Sequence, residues 1–245
     1  MTQTDRTAIV TGASKGIGAA IARRLGRDGC AVAVNYAGDT QAAARVVAEI
    51  TEAGGRAVAV QQDLSQPGAM AALFDAAEAA LGPVDILVNN AGVMRLSTIA
   101  ETSDEVFEMQ VALNLGGVFR GLREASTRLR DGGRIVTLSS SVVGLCQPGY
   151  GVYAATKAAV EALTRVLSRE LGARQITVNA VAPGPVGTEL FLNGKSEELI
   201  RSIAARSPFN RLGTPEDIAS AVSLLTGPDG GWINGQVLRA NGGMN

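Results

Sequence analysis

A chain of 245 residues, 46% of them hydrophobic, has the apolar content of an ordinary folded protein and is long enough for one α/β domain with a large core. Its 22 basic and 23 acidic residues leave a formal net charge of −1, so the chain lacks the basic field that nucleic acid requires. It has no histidine and only two cysteines, Cys30 and Cys146, which argues against a metal site and a disulfide framework and suits two free thiols in a reducing compartment.

Met1 to Arg6 has no apolar h-region and runs directly into the first strand, so no secretory signal is read and a cytoplasmic location is expected. The first strand spans Thr7 to Val10. Thr11-Gly12-Ala13-Ser14-Lys15-Gly16-Ile17-Gly18 follows it and opens a helix, Ile17 to Asp28, that carries Ile21, Ala22 and Leu25. Glycines there let the chain turn tightly and approach a pyrophosphate, whose charge meets the free N–H groups and positive dipole of the helix N-terminus. Gly12-Ala13-Ser14-Lys15-Gly16 also satisfies the G-x-S-x-G pattern of hydrolases, but that chemistry needs a histidine base.

The second strand is Ala31 to Val34, with Cys30 before it as a small buried hydrophobe. In dinucleotide-binding folds an acid about 20 residues past the glycines holds the adenosine 2′-hydroxyl. Asn35 stands at that position, followed by Tyr36. A neutral side chain does not repel a 2′-phosphate, and Lys15 supplies a positive charge close by. A helix over Thr40 to Ala53 and a strand over Ala57 to Val60 come next. Asp63-Leu64 and a helix over Gly68 to Leu81 follow. The fourth strand, Ile86 to Val88, ends in Asn89-Asn90-Ala91-Gly92, where Gly92 permits close approach, and a long helix over Asp104 to Arg130 contains Asn114.

The fifth strand, Ile135 to Leu138, leads into Ser139-Ser140-Ser141. On the helix Val152 to Leu171, Tyr153 and Lys157 lie four residues apart and share a face. A phenol has a reference pKa of about 10, so it moves protons near neutrality only where a cation favours its ionised form, and Lys157 is placed to do so. Strand alternation keeps the three serines from all facing one substrate, and Ser140, thirteen residues before Tyr153, is the candidate. The stretch Ile135 to Thr156 has no charge and the length of a membrane span, yet its serines, glycines and Pro148 read as strand, loop and helix start.

The sixth strand, Ile176 to Val181, closes with Pro183-Gly184, and Val186 and Thr188 lie just beyond. Residues 187–208 are too long an insertion for a plain connection and are expected to form a substrate lid. Thr214-Pro215-Glu216-Asp217 has the chemistry of a helix start, giving Pro215 to Leu225, and Val237-Leu238 is the last strand. Because the strands are apolar without alternation, both their faces are covered, which argues for a parallel sheet between two helix layers. Val142, Leu145, Cys146, Gln147, Tyr150, Leu190 and Phe191, with Val93, Met94, Val186 and Leu192, would wall a substrate pocket that is nearly free of charge and suits ketones, aldehydes or small cyclic carbonyls. Cys146 reads as a neutral wall thiol ahead of any reactive role.

Together these motifs resemble the classical short-chain dehydrogenase/reductase family, from about Thr7 to the C-terminus. The resemblance implies an α/β fold: one Rossmann-type domain over residues 1–245, with a doubly wound seven-stranded parallel sheet of order 3-2-1-4-5-6-7 in three αβα layers. It implies an NAD(P)-dependent oxidoreductase that interconverts a ketone or aldehyde and its alcohol. Tyr153 would give the proton, Ser140 would hold the carbonyl oxygen, Lys157 would lower the phenol pKa and bind ribose, and Asn114 would hold a water linking Lys157 to solvent. The cofactor would lie along Gly12, Ser14, Lys15, Gly16, Ile17, Gly18, Asn35, Tyr36, Asp63, Leu64, Asn90, Ala91 and Gly92. Pro183, Gly184, Val186 and Thr188 would face its nicotinamide. Asp63 would meet the adenine, although a helix-capping role is comparably plausible.

A lysine placed like Lys15 marks NADP(H)-preferring members. Many of these add an arginine just after the second strand, where this chain has Tyr36-Ala37, so NAD(H) use also stays open. The 3-oxoacyl-carrier-protein reductases carry basic residues before the serine strand. Here that stretch is Arg128-Leu129-Arg130-Asp131-Gly132-Gly133-Arg134, with an acid intruding, which looks more like carbonyl and polyketide-ketone reductases. A non-catalytic NADP-binding regulator would typically have lost one of Asn114, Ser140, Tyr153 or Lys157, and all four are present. The partner is then a small molecule, with no nucleic acid and no membrane. The resemblance also implies a homotetramer, paired through the helices Asp104–Arg130 and Val152–Leu171 and through the C-terminal run, whose apolar, glycine-rich residues Trp232 to Met244 would dock on a partner.

Overall fold

The computed structural model describes residues 6–245, with the backbone alone at Leu190. Met1–Asp5, on which most of the leader reading rests, lie outside the described residues. Seven parallel strands form one sheet: β1 Thr7–Val10, β2 Ala31–Tyr36, β3 Arg56–Gln61, β4 Val84–Asn89, β5 Arg134–Leu138, β6 Thr177–Pro183 and β7 Val237–Ala240. Their order is β3-β2-β1-β4-β5-β6-β7, as expected. The chain reverses direction across the sheet at β1, whose neighbours are β2 and β4. The loops that leave β1 and β4 therefore diverge and open a crevice at the carboxyl ends of the strands.

The helices are α1 Gly16–Arg27, α2 Thr40–Glu52, α3 Ala69–Leu81, α4 Asp104–Val111, α5 Val118–Arg128, α6 Val142–Leu145, α7 Gly151–Glu170, α8 Glu189–Leu192, α9 Glu197–Ala204 and α10 Pro215–Thr226. Two buried clusters flank the sheet. On one face Val10, Val32 and Val34 pack with Ile21, Leu25, Val46, Ile50, Ile218 and Val222 of α1, α2 and α10. On the other, Ile9, Ala33 and Leu87 pack with Leu73, Phe74, Leu122 and Val160 of α3, α5 and α7. Alternate residues of single strands thus enter opposite cores, which is why the strands read as continuous apolar runs.

One expectation needs correction. The single helix expected over Asp104 to Arg130 is interrupted by a wide π turn, Ala112–Gly117, that holds Asn114. Gly116-Gly117 weakens the helix there, and the buried Asn114 side chain bonds across to the backbone of Val93 instead of following the helix surface. Residues 187–208, the insertion after β6, are partly helical. They contain α8 and α9, each started by a hydroxyl cap: Thr188 accepts from the Phe191 N–H and Ser196 from the Leu199 N–H. Part of the C-terminal run is tied to its own chain: Asn241 donates to the Ser141 hydroxyl, Asn245 donates to the Ser141 carbonyl, and the Gly242 carbonyl accepts from Ser207. Trp232 and Leu238 remain exposed.

Candidate active site

The turn between β1 and α1 owes its shape to close approach. Gly12 has φ +60°, and a Cβ there would stand 2.9 Å from the Cα of Ala91; a Cβ on Gly18 would stand 2.3 Å from the Gly12 carbonyl oxygen. Only glycine fits either position. Asn90 fixes the turn by donating to the carbonyls of Thr11 and Gly12, at 2.9 and 3.0 Å. Lys15, at the N-cap of α1, provides no side-chain cap, so the first-turn N–H groups face the crevice without a side-chain acceptor. A tight glycine cradle with free donors at a helix N-terminus fits the pyrophosphate of a dinucleotide.

Asn35 is 2% exposed and works inward. Its Oδ1 accepts from the Gly12 N–H, and its amide donates to the carbonyls of Val60 and Gln62. It ties the glycine turn to β3 and leaves position 35 itself without a carboxylate. Lys15 is not a free cation: its ammonium lies 2.8 Å from Asp39, which also caps α2 by accepting from the Ala42 N–H. That contact raises the lysine pKa and lowers that of the aspartate. Asp63 accepts from the N–H and hydroxyl of Ser65, whereas the N-cap of α3 is Gly68, so the helix-capping reading is removed.

One cavity of about 760 Å³ joins this cradle to the β5–α7 region. It is lined by Gly12, Ser14, Lys15, Gly16, Ile17, Gly18, Asn35, Tyr36, Asp63, Leu64, Asn90, Ala91, Gly92, Pro183, Gly184, Val186 and Thr188, and at its other end by Ser140, Val142, Leu145, Gln147, Tyr150, Tyr153, Lys157 and Phe191. Three expected residues are not in the lining, one of them Leu192, which is exposed at the end of α8. Cys146 ends α6 in the left-handed conformation with φ +48° and is exposed, its thiol against the Val143 carbonyl. Asn114 is fully buried behind the wall. The Leu190 side chain lies outside what is described. Sequence reading missed Asp39, Asn193, Ile203, Arg206 and Met244 in the lining. Asp39 could have been found as a helix cap ahead of Thr40; the others arrive through the irregular course of the 187–208 segment and the chain end.

At the reactive end the three serines separate by partner. Ser139 donates to Glu161 at 2.7 Å and Ser141 to the Ala182 carbonyl, and both are buried. All three edge the cavity, but Ser140 is the one that is not buried and that bonds to Tyr153. Burial pushes the Tyr153 phenol up to about 12, offset in part by its hydrogen bond with Ser140. Lys157 is buried, donates to the Leu138 carbonyl at 2.7 Å, and is pushed down to about 8 by loss of water around its charge. Asn114 accepts from the Val93 N–H and donates to its carbonyl, both at 2.8 Å, and reaches Thr156 at 3.4 Å. Its side chain holds the β4–α4 loop, and its Oδ1 and the Lys157 ammonium both stand close to Gly92. A phenol, a hydroxyl and a buried ammonium at one end of a dinucleotide-sized cavity can hold a carbonyl oxygen and deliver a proton to it.

A family model described as enoyl-(acyl carrier protein) reductase matches residues 12–245. The chain is 45% identical to an NADPH-dependent aldehyde reductase-like protein, chloroplastic, of Arabidopsis thaliana, over 97% of this chain and 93% of that one. It is likewise 45% identical to a short-chain type dehydrogenase/reductase of Picea abies, over 98% and 92%. Among solved structures it resembles the angucycline C-6 ketoreductase LanV with bound NADP, with a TM-score of 0.94 and 39% identity over 99% of this chain and 96% of that one. Full-length identity at this level, joined to the seven-stranded order and the glycine cradle, makes the chain an oxidoreductase of the short-chain dehydrogenase/reductase family.

Proposed function

We propose that this protein is an NADPH-dependent carbonyl reductase, converting a ketone or aldehyde to the alcohol with Tyr153 as general acid. The observation that carries the reading is the placement of Ser140, Tyr153 and Lys157 at one end of a cavity whose other end is the glycine cradle. NADP(H) is the cofactor. Its relatives include NADPH-dependent reductases and its structural neighbours bind NADP. In this chain Lys15 is next to the adenosine end and Asn35 puts no carboxylate there. When bound, the nicotinamide supplies hydride chemistry. Ser140 orients the carbonyl oxygen, Tyr153 gives it a proton, and the Lys157 ammonium stabilises the tyrosinate left behind. In the oxidative direction the tyrosinate is the base. Asn114 supports the site by fixing the loop at Val93, and Pro183, Gly184 and Thr188 edge the nicotinamide end.

A 3-oxoacyl-carrier-protein reductase is less well supported, because the basic stretch before β5 is occupied within the chain. Arg128 pairs with Asp75 and Glu78, Arg130 pairs with Asp85, and Arg134 donates to the carbonyls of Gly132 and Gly133. Little of that charge is left for an acidic carrier. A non-catalytic regulator has no use for a cavity-facing Ser140 beside Tyr153.

The reading includes residues 187–208 as a lid within a single domain, a homotetramer and a cytoplasmic location. Exposed Phe107, Phe119 and Val166 on α4, α5 and α7 favour pairing through those helices, and exposed Leu238 favours pairing through β7. Among the described residues no helix is long and apolar enough to cross a membrane. Two free thiols suit a reducing compartment. NADPH consumption by purified protein over a panel of ketones and aldehydes, with Tyr153→Phe alongside, tests the activity.

A further inference from the structure

The cavity has six charged lining residues, and five of them are accounted for at the cofactor end or in the proton site. Lys15 pairs with Asp39. Glu189 acts on Lys15, Asp63 is turned to Ser65, and Lys157 is buried against the Leu138 carbonyl. Arg206 is the sixth. It follows α9 and lines the substrate end with Gln147, Ile203 and Met244. With the Gln147 amide oxygen turned toward it, both terminal guanidinium nitrogens donate to that one oxygen at 2.6 Å. Among the described residues no carboxylate pairs with Arg206. The substrate end, expected to be nearly uncharged, therefore has a cation besides the buried Lys157, with the forked end of its guanidinium held against a neutral acceptor.

We infer that Arg206 is a substrate-binding residue and that the enzyme takes carbonyl compounds carrying a carboxylate at a distance from the reacting group. The inference rests on the carbonyl-reductase reading and names the substrate class of that site. A guanidinium presents parallel donors that match the two oxygens of a carboxylate, and such a charged pair is worth more than the bond to a neutral amide that it replaces or shares. Gln147 positions the fork. The apolar wall of Val142, Leu145 and Phe191 would hold the body of the substrate between this anchor and Tyr153.

The test compares 4-formylbenzoate with its methyl ester, nearly identical in shape and differing in charge, as substrates of the NADPH-loaded enzyme. A hydrogen bond to a charged partner is worth enough that kcat/KM for the acid should exceed that for the ester by about tenfold or more, chiefly through KM. In R206Q that ratio should fall to near one, and R206K, which keeps the charge but loses the fork, should lie between. Terephthalate should compete with 4-formylbenzoate in the wild type and lose affinity in R206Q. If the ester is reduced as well as the acid, or if R206Q lowers both alike, the carboxylate site is wrong while the carbonyl-reductase reading stands. If neither aldehyde is reduced, the proposal falls with the reading beneath it.

Discussion

The Lys157 ammonium lies 5.6 Å from the centroid of the Tyr153 ring, buried and, among the described residues, in no ion pair. The two groups are shifted in opposite directions by the same surroundings, the phenol up to about 12 and the amine down to about 8, because a low-dielectric site disfavours the charged form of each. In the free enzyme the phenol is therefore protonated at physiological pH, as a proton donor should be. Lys157 keeps its charge only below about pH 8.

The pH dependence follows. The charge on Lys157 is what favours a tyrosinate as the proton departs, so kcat/KM for NADPH in the reductive direction, which reports the free enzyme, should fall as pH rises through about 8. A profile flat to pH 10 would remove Lys157 from this role.

The same shift has a stability consequence of definite sign. Between pH 8 and 10.5 the unfolded chain binds a proton on Lys157 that the folded chain does not, so stability from this residue rises with pH across that window. Cys30 and Tyr153, both raised, work the other way at higher pH, and they cancel when the wild type is compared with Lys157→Met. Denaturant unfolding should show the wild type gaining on the variant by on the order of 2 kcal/mol from pH 8 to pH 10.

Cofactor choice should depend on three residues. Lys15→Ala should lower the NADPH over NADH ratio of kcat/KM, and Asp39→Asn, which releases the lysine from its 2.8 Å contact, should lower KM for NADPH. Asn35→Asp should favour NADH, and the new carboxylate, facing the Val60 and Gln62 carbonyls that Asn35 now donates to, should also destabilise the fold by about 1–3 kcal/mol. Steady-state kinetics with both cofactors and thermal melts measure the two effects separately.

Much of this was legible in the sequence because the relevant signals are local. The β1–α1 turn is specified by consecutive residues, the Tyr153–Lys157 pair by helix spacing, and the α10 start by Thr214 and Asp217, which form a reciprocal capping box. The choice of Ser140 rested on its thirteen-residue spacing to Tyr153, with strand alternation keeping the three serines from all facing the substrate, and the partners of Ser139 and Ser141 agree with it. What failed was long-range or irregular. Nothing near Arg206 in sequence indicates Gln147, 59 positions earlier, and no periodicity announces a π turn at Asn114. Cys146 misled because its distance from Tyr153 placed it in the right loop, whereas the left-handed conformation at its own position decides which way it faces.

The assembly reading can be checked by sedimentation at micromolar concentration, where a tetramer is expected. Phe119→Asp, which puts a charge on an exposed apolar position of α5, should shift the enzyme toward smaller species. A fully active wild-type monomer would discard the interface.

The most direct test of the proton-donor account is Tyr153→Phe. The ring still packs and only the hydroxyl is lost, so NADPH affinity, followed by fluorescence on binding, should stay within about twofold while kcat for ketone or aldehyde reduction falls more than about a hundredfold. Retention of roughly a tenth or more of kcat with NADPH binding intact would contradict the assignment of Tyr153 as the acid, since general acid catalysis is worth more than that.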